Sequence, residues 1–258
     1  MGVAEAEEKG RKDFFYYLLK ARDPETGQGF SPAELWGESN LLIIAGSDTT
    51  STALAAAFFY LTHKPSTLQQ LQREVRAAFT DVEDIHIGPM LSSCAYLRAC
   101  IDESMRLSPS VGGILPRQVL PGGMQIDGHA IPEGTVVGVP HYAIHHNGSY
   151  YPSPFAFKPE RWSATASGEE SLALAQSAYT PFSIGPRGCI GKGMAYAELM
   201  TTLARAVWLY NFRLAPGTAL GEGGRGVPGR ERKEEFQLKD TFTSMKEGPL
   251  VEFRLAER

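Results

Sequence analysis

The stretch from Ser31 to His63 (SPAELWGESNLLIIAGSDTTSTALAAAFFYLTH) limits what this chain can fold into more than any other. Ser31 suits an N-cap, Pro32 the first helical position, and Glu34 the residue that closes a capping box. The apolar pattern then runs on to His63, where Lys64-Pro65 ends it. Roughly 30 residues at 1.5 Å each make about 45 Å of helix, which suggests a rod crossing the whole molecule. Its apolar centre, Leu41 to Leu61, is long enough for a membrane span. Asp48 and a Ser/Thr cluster sit at the middle of that span, where lipid would penalise them. The expectation is a buried helix of a large soluble fold.

With 258 residues the chain can bury one sizeable core or two small ones. A net charge of -4 supplies no overall basic field, so nucleic acid is not an expected partner. Three cysteines, Cys94, Cys100 and Cys189, are an odd number for a disulfide framework and fit a reducing compartment. The start, MGVAEAEEKGRKD, is polar and lacks an apolar h-region, so neither a signal nor an anchor is expected there.

Residues 1–30 read as a charged helix with Phe14, Phe15, Leu18 and Leu19 apolar, then a loop. A second helix follows over about 66–79, with Leu68, Leu71, Val75 and Phe79 on one stripe, and a third over 93–107. Between 117 and 139 the period shortens to that of strands, and Asp127-Gly128 reads as a tight hairpin turn. Residues 145–181 look mostly irregular. A last helix starts just after Cys189 and runs to about Tyr210. Residues 215–232 form a Gly/Arg-rich loop, and 236–254 alternate like a hairpin. The expected class is mainly α with a small antiparallel β portion, in one domain over 1–258.

The chemistry concentrates in Phe182 to Gly191, FSIGPRGCIG. Glycines at 185, 188 and 191 let the backbone fold tightly around one sulfur. A helix starting after Cys189 puts its positive dipole end beside that sulfur. Arg187 suits a carboxylate on the same bound group, and Phe182 can limit water. A buried packing cysteine is the usual role for a lone one. Here the spacing F-x-x-G-x-R-x-C-x-G meets several constraints at once. Zinc would need three or four Cys/His ligands at short spacing, and Cys189 has none within reach along the chain. A single-cysteine site suits haem iron, whose equatorial ligands come from the porphyrin.

The loop resembles the haem-thiolate signature of the cytochrome P-450 monooxygenases. Three more segments occur in that family's order: AGSDTT (Ala45 to Thr50), ESMR (Glu103 to Arg106) and FKPERW (Phe157 to Trp162). HYAIHHNGSYYPSPFAFKPERW particularly resembles fungal secondary-metabolite members. The resemblance implies the C-terminal half only of the cytochrome P-450 fold, from about residue 12 to the end, without the N-terminal half of relatives. It implies haem as cofactor, with Cys189 as the axial thiolate and Arg117, Phe182, Arg187 and Gly191 around it. Asp48 and Thr49 would be the acid–alcohol pair beside the oxygen site. Glu103, Arg106 and Arg161 would form a buried structural network behind the cysteine loop.

The activity so implied is insertion of one oxygen atom from O2 into a lipophilic small molecule, in secondary-metabolite biosynthesis. Substrate contacts would come from Ile43, Ile44 and Ser47, from Val111 to Leu115, and from Thr241 to Thr243. The implied partners are that substrate, O2, an NADPH-dependent reductase and a polypeptide supplying the missing half. Relatives sit on the endoplasmic reticulum membrane, whereas this chain is expected on the cytoplasmic side with no signal or anchor. A second reading, from another class, is a non-catalytic remnant or interaction protein that does not hold haem. His145 and His146 read as adjacent residues on extended backbone, pointing apart, with structural or surface roles.

Overall fold

The computed structural model describes residues 12–224, 226 and 228–257. The expected helix over 1–30 lies partly outside them, and the described part is shorter: α1 is Phe14–Lys20. Asp13 starts it by accepting the Tyr16 amide at 3.0 Å. Helix α2, Pro32–His63, has 32 residues. Its capping box forms in both directions, Glu34 N–H to Ser31 Oγ at 3.3 Å and Ser31 N–H to Glu34 Oε2 at 2.7 Å. The Ser31 amide holds the Glu34 carboxyl below its usual range.

Two compact units divide within α2, residues 1–47 and 48–258. In the first, a cavity of about 380 Å³ is lined by Phe15, Leu19, Pro32, Leu35, Trp36 and Ser39.

The second unit holds the core. It joins the later part of α2 to α3 (Pro65–Ala78), α5 (Ala95–Leu107) and α9 (Lys192–Leu209), with the short α4 (Pro89–Ser92) between α3 and α5. Helix α9 buries Tyr196, Leu199, Met200, Leu203, Ala204, Val207 and Trp208. That 3–4 spacing is one continuous stripe of an amphipathic helix. Arg76 of α3 closes its far end, donating from Nε to the Val207 carbonyl at 3.1 Å and from Nη2 to the Tyr210 carbonyl at 3.0 Å. A cation there satisfies carbonyls that have no partner inside the helix.

The β portion is four separate two-stranded antiparallel ladders: β1 (Arg117–Gln118) with β4 (Val136–Val137), β2 (Met124–Ile126) with β3 (His129–Ile131), β5 (Tyr210–Leu214) with β8 (Val251–Leu255), and β6 (Leu238–Thr241) with β7 (Thr243–Lys246). Asp127 (φ 49°) and Gly128 (φ +77°) join β2 to β3, the left-handed pair that a two-residue turn requires. Strand β5 has no counterpart in the sequence reading, because Tyr210–Leu214 continues the apolar pattern of α9. Segment 141–177 also holds more helix than its composition suggests: α6 (His141–His145), a 3-10 turn over Pro159–Trp162, α7 (Ala164–Ser167) and α8 (Glu169–Ser177). His145 closes α6 and is buried, so the extended backbone expected at His145-His146 is corrected.

Two expectations about α2 are corrected as well. Its buried residues are Thr52, Ala53, Ala56, Ala57, Phe59, Tyr60 and Leu61, all in the second unit. Leu41, Ile43 and Ile44 are exposed. Among the described residues α2 is the one helix long and apolar enough to cross a membrane, and only 22% of its most apolar window is buried. The expectation of a chain on the cytoplasmic side with no signal or anchor is thereby corrected. Asp48, the residue that argued against a span, is itself exposed.

Candidate functional site

The cysteine turn lies between α8 and α9. Its backbone doubles back on itself: the Cys189 amide donates to the Phe182 carbonyl at 2.8 Å, and the Gly188 amide to the Gly185 carbonyl at 2.9 Å. Gly185 sits at φ +72°, where a side chain would be strained. A 3-10 turn over Gly185–Arg187 carries the chain to Cys189. Gly191 then caps α9, with the Ala195 amide donating to its carbonyl at 2.8 Å. The positive end of an 18-residue helix therefore begins three positions beyond the sulfur.

Cys189 is exposed, and so are its neighbours Ile184 (74%) and Ile190 (93%). Cys94 and Cys100 are buried. Loss of water, with the Glu74 carboxylate adding to it, pushes the Cys94 thiol up to about 11. Burial pushes Cys100 well above its ordinary range. Both stay neutral thiols at neutral pH. The donor set open to a ligand is one sulfur at the end of a tight turn, flanked by apolar surface. That fits an iron held in its own planar ring.

Glu103, Arg106 and Arg161 come together. The side chains of Glu103 and Arg106 are wholly buried. Arg106 Nε and Nη2 donate to the two Glu103 oxygens, both at 2.9 Å, in a fork-to-fork pair. The other guanidinium hydrogens go to the carbonyls of His145 (2.7 Å), Pro154 (2.7 Å) and Ala156 (3.4 Å). Arg161 Nε reaches Glu103 at 3.4 Å. Two members were not anticipated: Trp162 Nε1 donates to Glu103 Oε2 at 3.0 Å, and the Lys158 amide to Oε1 at 3.0 Å. Their position beside Arg161 in FKPERW was the available signal.

Arg187 is exposed, and among the described residues it makes no hydrogen bond or ion pair. Arg117, on β1, is exposed and donates to the Pro116 carbonyl at 2.8 Å. Asp48 is exposed, and among the described residues nothing links its carboxyl to the cysteine turn. Its carbonyl accepts from Ser51 Oγ (3.1 Å) and Thr52 Oγ1 (2.8 Å), the back-bonding that loosens a helix. The Thr49 carbonyl accepts from Ser110 Oγ at 2.7 Å.

The chain flanking two of the three expected substrate-contact regions is joined. The Ser244 amide donates to the Ser110 carbonyl at 2.8 Å and Ser244 Oγ to the Pro109 carbonyl at 3.0 Å, which fixes the β6–β7 hairpin against residues 109–113. Gly113 lies beside the Asp240 carboxylate of β6, where an added Cβ would come within 2.5 Å of Oδ2 and push that side chain aside. Phe242, at the hairpin tip, has φ 77° and is exposed.

The cytochrome P-450 family model matches residues 3–221. The cytochrome P-450 monooxygenase apf7 of Gibberella fujikuroi is 50% identical over 95% of this chain and 46% of its own. AKT7 of Alternaria alternata, of the same description, is 48% identical over 97% and 49%. A third, lcsN of Purpureocillium lilacinum, is 42% identical over 94% of this chain and 71% of its own. A crystal structure of a cytochrome P-450 superposes with a TM-score of 0.75 at 26% identity, over 99% of this chain and 53% of that one. The chain spans about half the length of the first two relatives. The expectation of a likeness confined to the C-terminal half of the family is corrected, because the match begins at residue 3 and takes in nearly the whole chain. The mainly helical composition with a small β portion stands.

Proposed function

The chain belongs to the cytochrome P-450 family, and from that premise we propose that it is a haem-thiolate monooxygenase acting on a lipophilic small molecule in fungal secondary metabolism. The observation that carries the reading is the exposed Cys189 on a turn tied by its own amide to Phe182. When bound, the haem supplies reductive activation of O2.

This chain's own residues hold and orient. Cys189 would hold the iron, on a turn that Gly191 ends where α9 begins. The ring of Phe182 packs 5.1 Å from Tyr196 and would limit water at the sulfur. Arg187 and Arg117 would pair with the carboxylates of the cofactor. Asp48 and Thr49 would hold a water and supply protons on the oxygen side of the site. The Glu103–Arg106–Arg161 network keeps the turn from shifting. Ile114 and the Phe242 tip, both exposed and apolar, bind the substrate's hydrocarbon. An NADPH-dependent reductase supplies electrons, with Arg187 and Lys192 in its docking face. A further partner in this reading is a polypeptide that covers the exposed Leu41, Ile43 and Ile44.

The test is the reduced carbon monoxide difference spectrum of the chain expressed with haem supplied. A strongly red-shifted Soret band that disappears in Cys189→Ser is expected. A pigment unchanged by that substitution refutes the reading.

A further inference from the structure

Adjacent residues on α5 divide their work. Glu103 faces the FKPERW segment. Asp102, about 100° further round the helix, faces another way. Its side chain is 10% exposed. One oxygen, Oδ1, accepts two phenol hydroxyls, Tyr179 at 3.0 Å and Tyr196 at 2.7 Å. The other, Oδ2, accepts Arg98 Nε at 2.9 Å, and the Arg98 guanidinium lies 3.5 Å over the Tyr196 ring.

Tyr179 stands just ahead of the cysteine turn and Tyr196 just behind it, on the second turn of α9. We propose that Asp102 is a positioning residue for Cys189, a clamp whose single oxygen Oδ1 ties the entry and the exit of the turn to α5.

Between these two points the turn contains Gly185 and Gly188 and exposes Ile184 to Ile190 apart from the half-buried Gly188. Its own ties are a few backbone hydrogen bonds. A segment with so little buried side chain opens easily unless its ends are fixed. Fixing both ends on one atom removes the freedom of the intervening chain to splay. The Phe182 ring, packed on Tyr196, carries the constraint inward, because the Phe182 carbonyl accepts the Cys189 amide. The path is Asp102 to Tyr196 to Phe182 to Cys189, each step a direct contact. The clamp needs an acceptor at Oδ1: an asparagine carbonyl can still accept both hydroxyls, with its amide nitrogen then turned toward Arg98 Nε, whereas a leucine removes the acceptor that ties both tyrosines to α5.

The bearing of this clamp on the cofactor rests on the reading of Cys189 above, so the test is made without cofactor. Amide hydrogen exchange of residues 179–191 is compared in the parent chain, Asp102→Asn, Asp102→Leu and Leu97→Ala, the last a buried apolar truncation on the same helix. Asp102→Leu is expected to speed those amides by about tenfold more than Leu97→Ala does, with Asp102→Asn within about threefold of the parent. Alkylation of Cys189, the exposed thiol of the three, is expected to follow the same order. The pair Tyr179→Phe, Tyr196→Phe keeps both rings and removes both hydroxyls, and is expected to reproduce the leucine result should that variant not fold. Equal exchange in Asp102→Leu and Leu97→Ala, or in Asp102→Leu and Asp102→Asn, overturns the clamp. So does parent-like exchange in the double tyrosine variant. Faster exchange together with a carbon monoxide spectrum indifferent to Cys189→Ser keeps the clamp and discards the ligand role.

Discussion

Helices α5 and α2 invert the usual relation between polarity and burial. In α5 the charged residues Asp102, Glu103 and Arg106 are buried, while in the first unit's share of α2 the apolar Leu41, Ile43 and Ile44 are exposed. Burial of charge demands complete pairing, and Arg106 meets the demand with all its N–H groups engaged by one carboxylate and three carbonyls. Those carbonyls come from 145–156, a segment with little apolar content of its own. The charged helix therefore organises the irregular chain around it. Exposed apolar residues organise nothing within the described structure. The fold is fixed by where polar groups are satisfied as much as by where apolar groups cluster.

The largest expected effect breaks the α5 side of this contrast. Glu103→Leu removes one partner from a wholly buried set and strands the guanidiniums of Arg106 and Arg161 together with the Trp162 N–H. A loss of about 3–5 kcal/mol is expected in denaturant unfolding. Arg106→Leu should cost a similar amount, and the double change less than the sum of the two, since neither charge is then left alone.

Acid should weaken the same region. His145 Nε2 accepts the Thr180 amide at 3.1 Å, which requires that nitrogen to be unprotonated. Burial, with His141 and Arg106 nearby, pulls its pKa down to about 3. The unfolded chain binds a proton near pH 6.5 and the folded one does not, so the folded state is favoured in full above about pH 6.5. That advantage is lost progressively as pH falls toward about 3. His146, pulled down to about 4 by burial, adds in the same direction. Unfolding free energy measured from pH 7 to 5 should fall with acid, and His145→Gln should flatten the slope by up to about 1.4 kcal/mol per pH unit.

How much of this was legible depends on whether the cause was local. The Asp127-Gly128 turn and the Ser31/Glu34 capping box depend on neighbouring residues, and both stand out in the sequence. The i, i+3 spacing of Glu103 and Arg106 is equally plain. Their burial is not, because it depends on carbonyls some 40 to 50 positions away. The burial split in α2 is hidden for the same reason: Leu41 to Ile44 are as apolar as Phe58 to Leu61, and only the packing of distant helices separates them. In the cysteine turn the glycines and the following helix could be read. The hydroxyls of Tyr179 and Tyr196 could not, since nothing along the chain links them to Asp102.

A smaller effect is expected at Tyr60, where α2 enters the core. Its hydroxyl lies 2.7 Å from Ser108 Oγ and accepts the Phe236 amide at 3.3 Å. Tyr60→Phe leaves that buried amide without a partner and should cost about 1–2 kcal/mol in the same unfolding measurement.

The smallest expected effect tests the α2 side. Ile43→Ser exchanges an exposed apolar residue for a polar one, and a stability change within about 0.5 kcal/mol is expected by denaturant unfolding. A surface apolar residue has already left its side chain in water in the folded state, so folding gains little from it. A loss of several kcal/mol would mean that Ile43 is covered after all, by a second molecule or by a membrane, and the contrast with α5 would dissolve. Vesicle flotation separates those cases. Binding of the parent chain to neutral vesicles, weakened by Ile43→Ser with Ile44→Ser, would assign the exposed face to lipid. A concentration-dependent stability without flotation would assign it to protein.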